Sequence, residues 1–139
     1  RKNGQTLVTL ALTGTPNGGV HPAHIHLNSA AEGGGIAVDL VNVNGTTGIS
    51  RTNVKQLNNG TAINYDGLLN FNGYINVHLS ATELATIVAQ GDIGANELTG
   101  ESKTYNLMER AVAGIMGTAK FEKRKSGKTL VTLMLQGTP

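Results

Sequence analysis

The chain has no cysteine and no tryptophan, and only two phenylalanines and three tyrosines among its 139 residues. Without thiols, disulfides, thiolate zinc sites and cysteine nucleophiles are excluded. No apolar run approaches the roughly 18 residues that a membrane helix requires, so no membrane insertion is expected. The phosphate-cradling pattern G-x-x-x-x-G-K-[ST] is missing, and Ser29, Ser50 and Ser80 lack a G-x-S-x-G setting. No pair of carboxylates stands out as an acid and base. No enzymatic activity is therefore expected, and no small-molecule substrate is evident.

What is plentiful is glycine, with 19 residues dispersed between short apolar runs. That pattern predicts strands and tight turns. Apolar residues make up 39% of the chain and recur in patterned runs, which argues against disorder. The length suits one domain with its own core. Net charge is only +2. Lys120, Lys123, Arg124, Lys125 and Lys128 gather around a Lys-Ser-Gly turn without interleaved aromatics. The cluster reads as a solvated hairpin tip, and no nucleic-acid partner is expected.

An internal repeat organises the sequence. Residues 1–16, RKNGQTLVTLALTGTP, and residues 124–139, RKSGKTLVTLMLQGTP, agree at 12 of 16 positions at an offset of 123. In the first copy Leu7, Thr9 and Ala11 alternate with Val8, Leu10 and Leu12, as the two faces of a strand do. The second copy follows GTAKFEKR and a Lys-Ser-Gly turn, which predicts a β-hairpin over 117–139. The first copy is expected to lack the partner strand that the second possesses. Thr6, Leu7, Val8, Leu10 and Leu12, with Thr129, Leu130, Val131, Leu133 and Leu135, form the expected assembly strand. A sheet missing a strand exposes unpaired N–H and C=O groups that an incoming strand satisfies. The leading expectation is thus a self-associating structural module, either a tandem array of units spanning 1–123 or a strand-complemented filament.

Between the copies, residues 20–28, 36–43 and 73–79 read as strands. Residues 47–63 read as a loop with a short helical turn. Ser80-Ala81-Thr82-Glu83 fits a capping box, followed by Leu84, Ile87 and Val88 at helical spacing and Gly91 as a stop; this predicts a helix over 81–89. Asn44 and Asn59 each open an Asn-Gly-Thr triplet, read as turn chemistry rather than glycosylation. The expected fold is all-β with one short helix, a Greek-key-like β-sandwich of about seven to nine strands.

All four histidines fall in two short segments. His24 and His26 share a face of the strand HPAHIHL, and Pro22 could swing His21 towards them. His78 shares a face with Tyr74 and Asn76 on the strand GYINVHL. If the two strands are neighbours, the imidazoles converge on a site suited to copper, with zinc less favoured. Asp39 or Asp92 could then orient a ring nitrogen. A redox activity on bound copper is the one enzymatic reading this leaves open. The segment Asp92–Glu97 offers oxygen ligands but lacks the spacing of a calcium loop, so a polar turn is expected.

At HPAHIHL, GYINVHLS and NELTGES the chain resembles a CHRD (chordin-type) domain. That family carries an A-H-I-H strand, a later Y-V-N-V-H strand and then an E-I-R-G-Q-like strand. Here these read Ala23-His24-Ile25-His26, Tyr74-Ile75-Asn76-Val77-His78, and, more loosely, Glu97-Leu98-Thr99-Gly100-Glu101. The likeness spans roughly residues 5–107, with the terminal hairpin resembling the start of a following domain. It implies a β-sandwich of secreted and cell-surface proteins, often in tandem, with no established enzymatic role. An extracellular or cell-surface location is implied with it. The His-x-His strand is also similar, more distantly, to that of copper/zinc superoxide dismutases, whose zinc loop and disulfide this chain lacks.

Overall fold

The computed structural model describes all of residues 1–139. It is a mostly-β chain of nine strands and one five-residue helix: β1 Thr6–Ala11, β2 Val20–Leu27, β3 Ile36–Asn44, β4 Ile49–Val54, α1 Tyr65–Leu69, β5 Asn72–His78, β6 Ile87–Gly94, β7 Leu98–Leu107, β8 Met116–Arg124 and β9 Thr129–Gln136. Two compact units divide the chain, Arg1–Asn96 and Glu97–Pro139.

The first unit holds six antiparallel strands in the order β1-β4-β3-β2-β5-β6. Strands β2, β3 and β4 follow one another as neighbours, and β1 lies beside β4. That is a Greek key. Alternation along β2 turns Ala23 and Ile25 inward, each 1% exposed, onto Val38, Leu40, Val43, Val54 and Val77. Leu68 of α1 joins this core, and Asn64 caps the helix by accepting from Gly67 N at 2.9 Å. The sheet curls towards a half-barrel. Thr6 and Val8 of β1 line one apolar cavity with Ile25, Ile75 and Ile93 of β2, β5 and β6, although β1 and β6 are opposite ends of the sheet.

Two sequence expectations are corrected here. Residues 81–89 are not a helix: turns lead into β6, which pairs with β5 from Asn72↔Gly94 to His78↔Ile87. Leu84, Ile87 and Val88, the intended helical stripe, are all exposed. Pairing with β5 brings Ala89 and Ile93 against the core instead, a gain no nine-residue helix offered. Residues 47–63 likewise contain β4 rather than only loop. Its Ser50 Oγ donates to Val41 O, and Thr52 Oγ1 accepts from Val41 N, so side chains stitch β4 to β3. The helix lies at Tyr65–Leu69.

The second unit is a three-stranded antiparallel sheet, β7-β8-β9. The hairpin β8–β9 is in unbroken register from Met116↔Gln136 to Lys123↔Thr129. Gly127, at φ 87°, closes its turn in a conformation that favours glycine, donating to Arg124 O. Arg124 departs from the expected solvated tip: it is 4% exposed. The neighbouring Lys125 and Lys128 are exposed. The two Asn-Gly-Thr triplets are turns. Asn44 Oδ1 accepts from Thr46 N and Thr47 N, and Asn59 Oδ1 from Thr61 N.

Candidate metal centre

Strands β2 and β5 are neighbours, with His24 opposite Asn76 and His26 opposite Tyr74. Opposed residues share a face, so His24 and His26 meet the face carrying Tyr74, Asn76 and His78. One donor atom each from His24, His26 and His78 lies within 4.8 Å of the others. Register irregularities fall between Ile25 and His26 in the β2–β3 pairing and between Val77 and His78 in the β5–β6 pairing. Such bulges commonly re-aim side chains beside a site.

The main chain orients two of the rings. His26 Nδ1 lies 2.9 Å from Gly34 O, and His78 Nδ1 lies 2.6 Å from Leu84 O. A carbonyl only accepts, so both Nδ1 atoms carry the proton and each ring in its neutral form leaves a lone pair on Nε2. His26 Nε2 is buried and has no hydrogen-bond partner. His78 Nε2 meets His24 Nδ1 at 3.0 Å. A buried, unpartnered imidazole nitrogen costs free energy unless something uses it.

His24 connects the cluster to Asp39, whose Oδ1 is 3.7 Å from its Nε2. The Asp39 carboxylate is itself steadied by Asn58 Nδ2 at 3.1 Å. Partial burial lowers the His24 pKa below its ordinary 6.5; His78 and, more weakly, His26 add to this, while Asp39 opposes it. The ring therefore favours the neutral form that a metal requires.

Tyr74 and Gly34 were not legible in the sequence as site residues. Tyr74 is buried and stacks on His26, with ring centroids 5.0 Å apart and planes 18° from parallel. Its hydroxyl accepts from Gly34 N at 3.1 Å. A Cβ on Gly34 would lie 2.1 Å from Leu27 O, so only glycine brings this carbonyl to His26. For Tyr74 the available signal was its place on the same strand face as His78, and for Gly34 it was the Gly33–Gly35 run after β2.

His21 lies outside the cluster. Its ring is buried, Nδ1 is 2.9 Å from Leu79 O, and Gly19 packs so closely that a Cβ there would lie 2.7 Å from Nε2. Asp92 is also elsewhere, accepting from Ala30 N at 2.8 Å. In the same segment Asn96 is 2% exposed, and its Nδ2 reaches Asn28 O, Asn72 Oδ1 and Gly73 O. That segment fastens β5 and β6 to the loop after β2. The arrangement as a whole is a three-imidazole cluster able to coordinate a metal ion.

No family model matches the chain, and neither the curated proteins nor the solved structures contain a significant match to it.

Proposed function

We propose that the first unit is a transition-metal-binding β module, with His24, His26 and His78 as ligands and copper favoured over zinc. The observation that carries this reading is the convergence of donor atoms from His24, His26 and His78 within 4.8 Å of one another, with His26 Nε2 buried and unpartnered among them. Neutral imidazole suits both metals, and affinity for Cu(II) generally exceeds that for Zn(II) at nitrogen sites. Three protein ligands leave room for a further ligand on the ion.

The chain's own groups handle the proton that binding displaces. Without metal, His24 Nδ1–H donates to His78 Nε2. For His24 to offer Nδ1 as a lone pair, its proton moves to Nε2, the ring nitrogen that faces the Asp39 carboxylate at 3.7 Å. The carbonyls of Gly34 and Leu84 need not move, because they already hold the other two rings in the ligating tautomer.

The test is copper and zinc titration of the intact chain, followed by dialysis and metal analysis. The expected result is one equivalent of copper retained, with zinc held more weakly. A His24→Ala/His26→Ala variant is expected to lose it by at least ~100-fold in affinity, more than removal of an orienting partner costs. Copper uptake unchanged in that variant would exclude these ligands.

A further inference from the structure

The duplicated strand uses a different edge in each copy. In β1, Leu12 N donates to Gly48 O at 2.8 Å, one step beyond the Ala11↔Ile49 pair. Main-chain groups alternate along an antiparallel strand, so Thr6, Val8 and Leu10 point to β4. Leu7, Thr9 and Ala11 then point to the outer edge, where β1 has no neighbour. In β9, Arg124 N donates to Lys128 O at 2.9 Å, one step beyond the Lys123↔Thr129 pair. By the same alternation Leu130, Thr132 and Met134 point to β8. These are the equivalents of Leu7, Thr9 and Ala11 at the offset of 123. What β1 leaves open is what β9 has filled, and β8 fills it.

Side-chain faces agree with the main chain. Val8, Leu10 and Leu12 pack against the core of the first unit. Their equivalents Val131, Leu133 and Leu135 are exposed, Leu133 at 63%. Register places Phe121 opposite Val131 and Ala119 between Leu133 and Tyr105. One face of the three-stranded sheet is therefore apolar, and Phe121 and Tyr105 on it are exposed too. Monomeric proteins rarely leave such a contiguous face bare.

We infer that the outer edge of β1 receives β8 of a second copy of this chain, in the register that β8 now keeps with β9. Thr118, Lys120 and Glu122 of the donor then stand opposite Ala11, Thr9 and Leu7 of the acceptor. Hydrogen bonds are nearly conserved, because β1 replaces a strand of almost the same sequence. The gain is apolar burial: Phe121 and Ala119 come opposite Val8 and Leu10, continuing the inner face of the acceptor's sheet. Strand β9 is the one that yields, since its side chains have the less to lose. The donor contributes β7 and β8, and the acceptor's sheet extends to β7-β8-β1-β4-β3-β2-β5-β6. The joint is head-to-tail, so it propagates rather than closing on itself.

Because the chain has no cysteine, introduced pairs report this joint cleanly. Thr9→Cys chains are mixed with Lys120→Cys chains and oxidised mildly. Directly opposed residues sit about 5.5 Å apart between Cα atoms, within disulfide range. Cross-linked dimer is expected at roughly ten times the yield given by Thr9→Cys with Glu122→Cys, which lies two residues out of register. A second variant, Lys120→Cys/Thr132→Cys, locks β9 onto β8 within one chain. Sedimentation of the unmodified chain is expected to show association that rises with concentration. The oxidised locked variant is expected to remain monomeric and to associate again on reduction. A chain that is monomeric throughout, equal cross-linking at the two positions, or a locked variant that still associates would each overturn the inference.

Discussion

Strands β1 and β9 carry almost the same residues in different surroundings. Beneath β1 lie Ile25, Leu68 and Ile93 across an apolar cavity, and Val8 and Leu10 pack against the core. Val131 and Leu133 of β9 have no such layer and are exposed. The alternating Thr-Leu-Val-Thr-Leu run is enough to make a strand in both places, because its pattern and β-branched residues fit a pleated surface wherever a partner offers hydrogen bonds. What the run does not carry is its own burial. The two units differ in chemistry as well: all four histidines lie in the first.

The largest expected effect is at the centre of the first unit. Ile25→Ala should cost about 2–5 kcal/mol in urea unfolding, as truncation of a fully buried aliphatic side chain does. A loss below about 0.5 kcal/mol, typical of surface positions, would remove the contrast between the units.

The matched pair Leu10→Ala and Leu133→Ala sharpens the contrast at one sequence position. Leu10→Ala is expected to destabilise by about 2 kcal/mol and Leu133→Ala by less than about 0.5 kcal/mol, measured on dilute protein. At concentrations where copies associate, the contrast is expected to widen, because Leu10 gains the donor's Ala119 as a neighbour while β9 is released.

Metal should act on the first unit alone. Gly34→Ala pushes a Cβ towards Leu27 O and displaces the carbonyl that orients His26, so copper affinity should fall by about tenfold or more. Amide NMR shift changes on addition of zinc, which is diamagnetic, to the unaltered chain should centre on β2, β5 and the connections that follow them.

The smallest effect is that of pH. The folded His24 pKa lies below 6.5, so the folded chain binds fewer protons than the unfolded chain as pH falls through that region. The stability associated with neutral His24 is present above about pH 6.5 and is lost as pH drops towards the folded value. Metal-free thermal melts between pH 8 and pH 5 should show this decline, and a His24→Gln variant should flatten it.

The sequence revealed β1, β2, β3, β5 and the histidine convergence, though not β4, because these rest on parity. Residues two apart in a strand share a face, and placing β2 beside β5 was the single added assumption. The hairpin at the second repeat was equally legible from its glycine turn. Strand β6 was hidden because Leu84, Ile87 and Val88 fall at helical spacing without forming a face, and the decisive term was pairing with β5. Helix α1 has five residues and one buried side chain, too little to leave a periodic signal. Gly34 and Leu84 contribute carbonyls, which every residue type possesses, so composition does not mark them.

That last point bears on how the centre can change over generations. Two of its three rings are held by peptide carbonyls in the connections after β2 and after β5. A point mutation can exchange a side chain but leaves a carbonyl in the chain. The orientation of these rings therefore depends on the length of those connections, which sets where the oxygens fall, and at Gly34 also on the absence of a Cβ. Outward-facing side chains nearby are free to drift. Descendants of this chain should vary in connection length where their metal preference varies, while the spacing of His24 and His26 stays fixed by the strand.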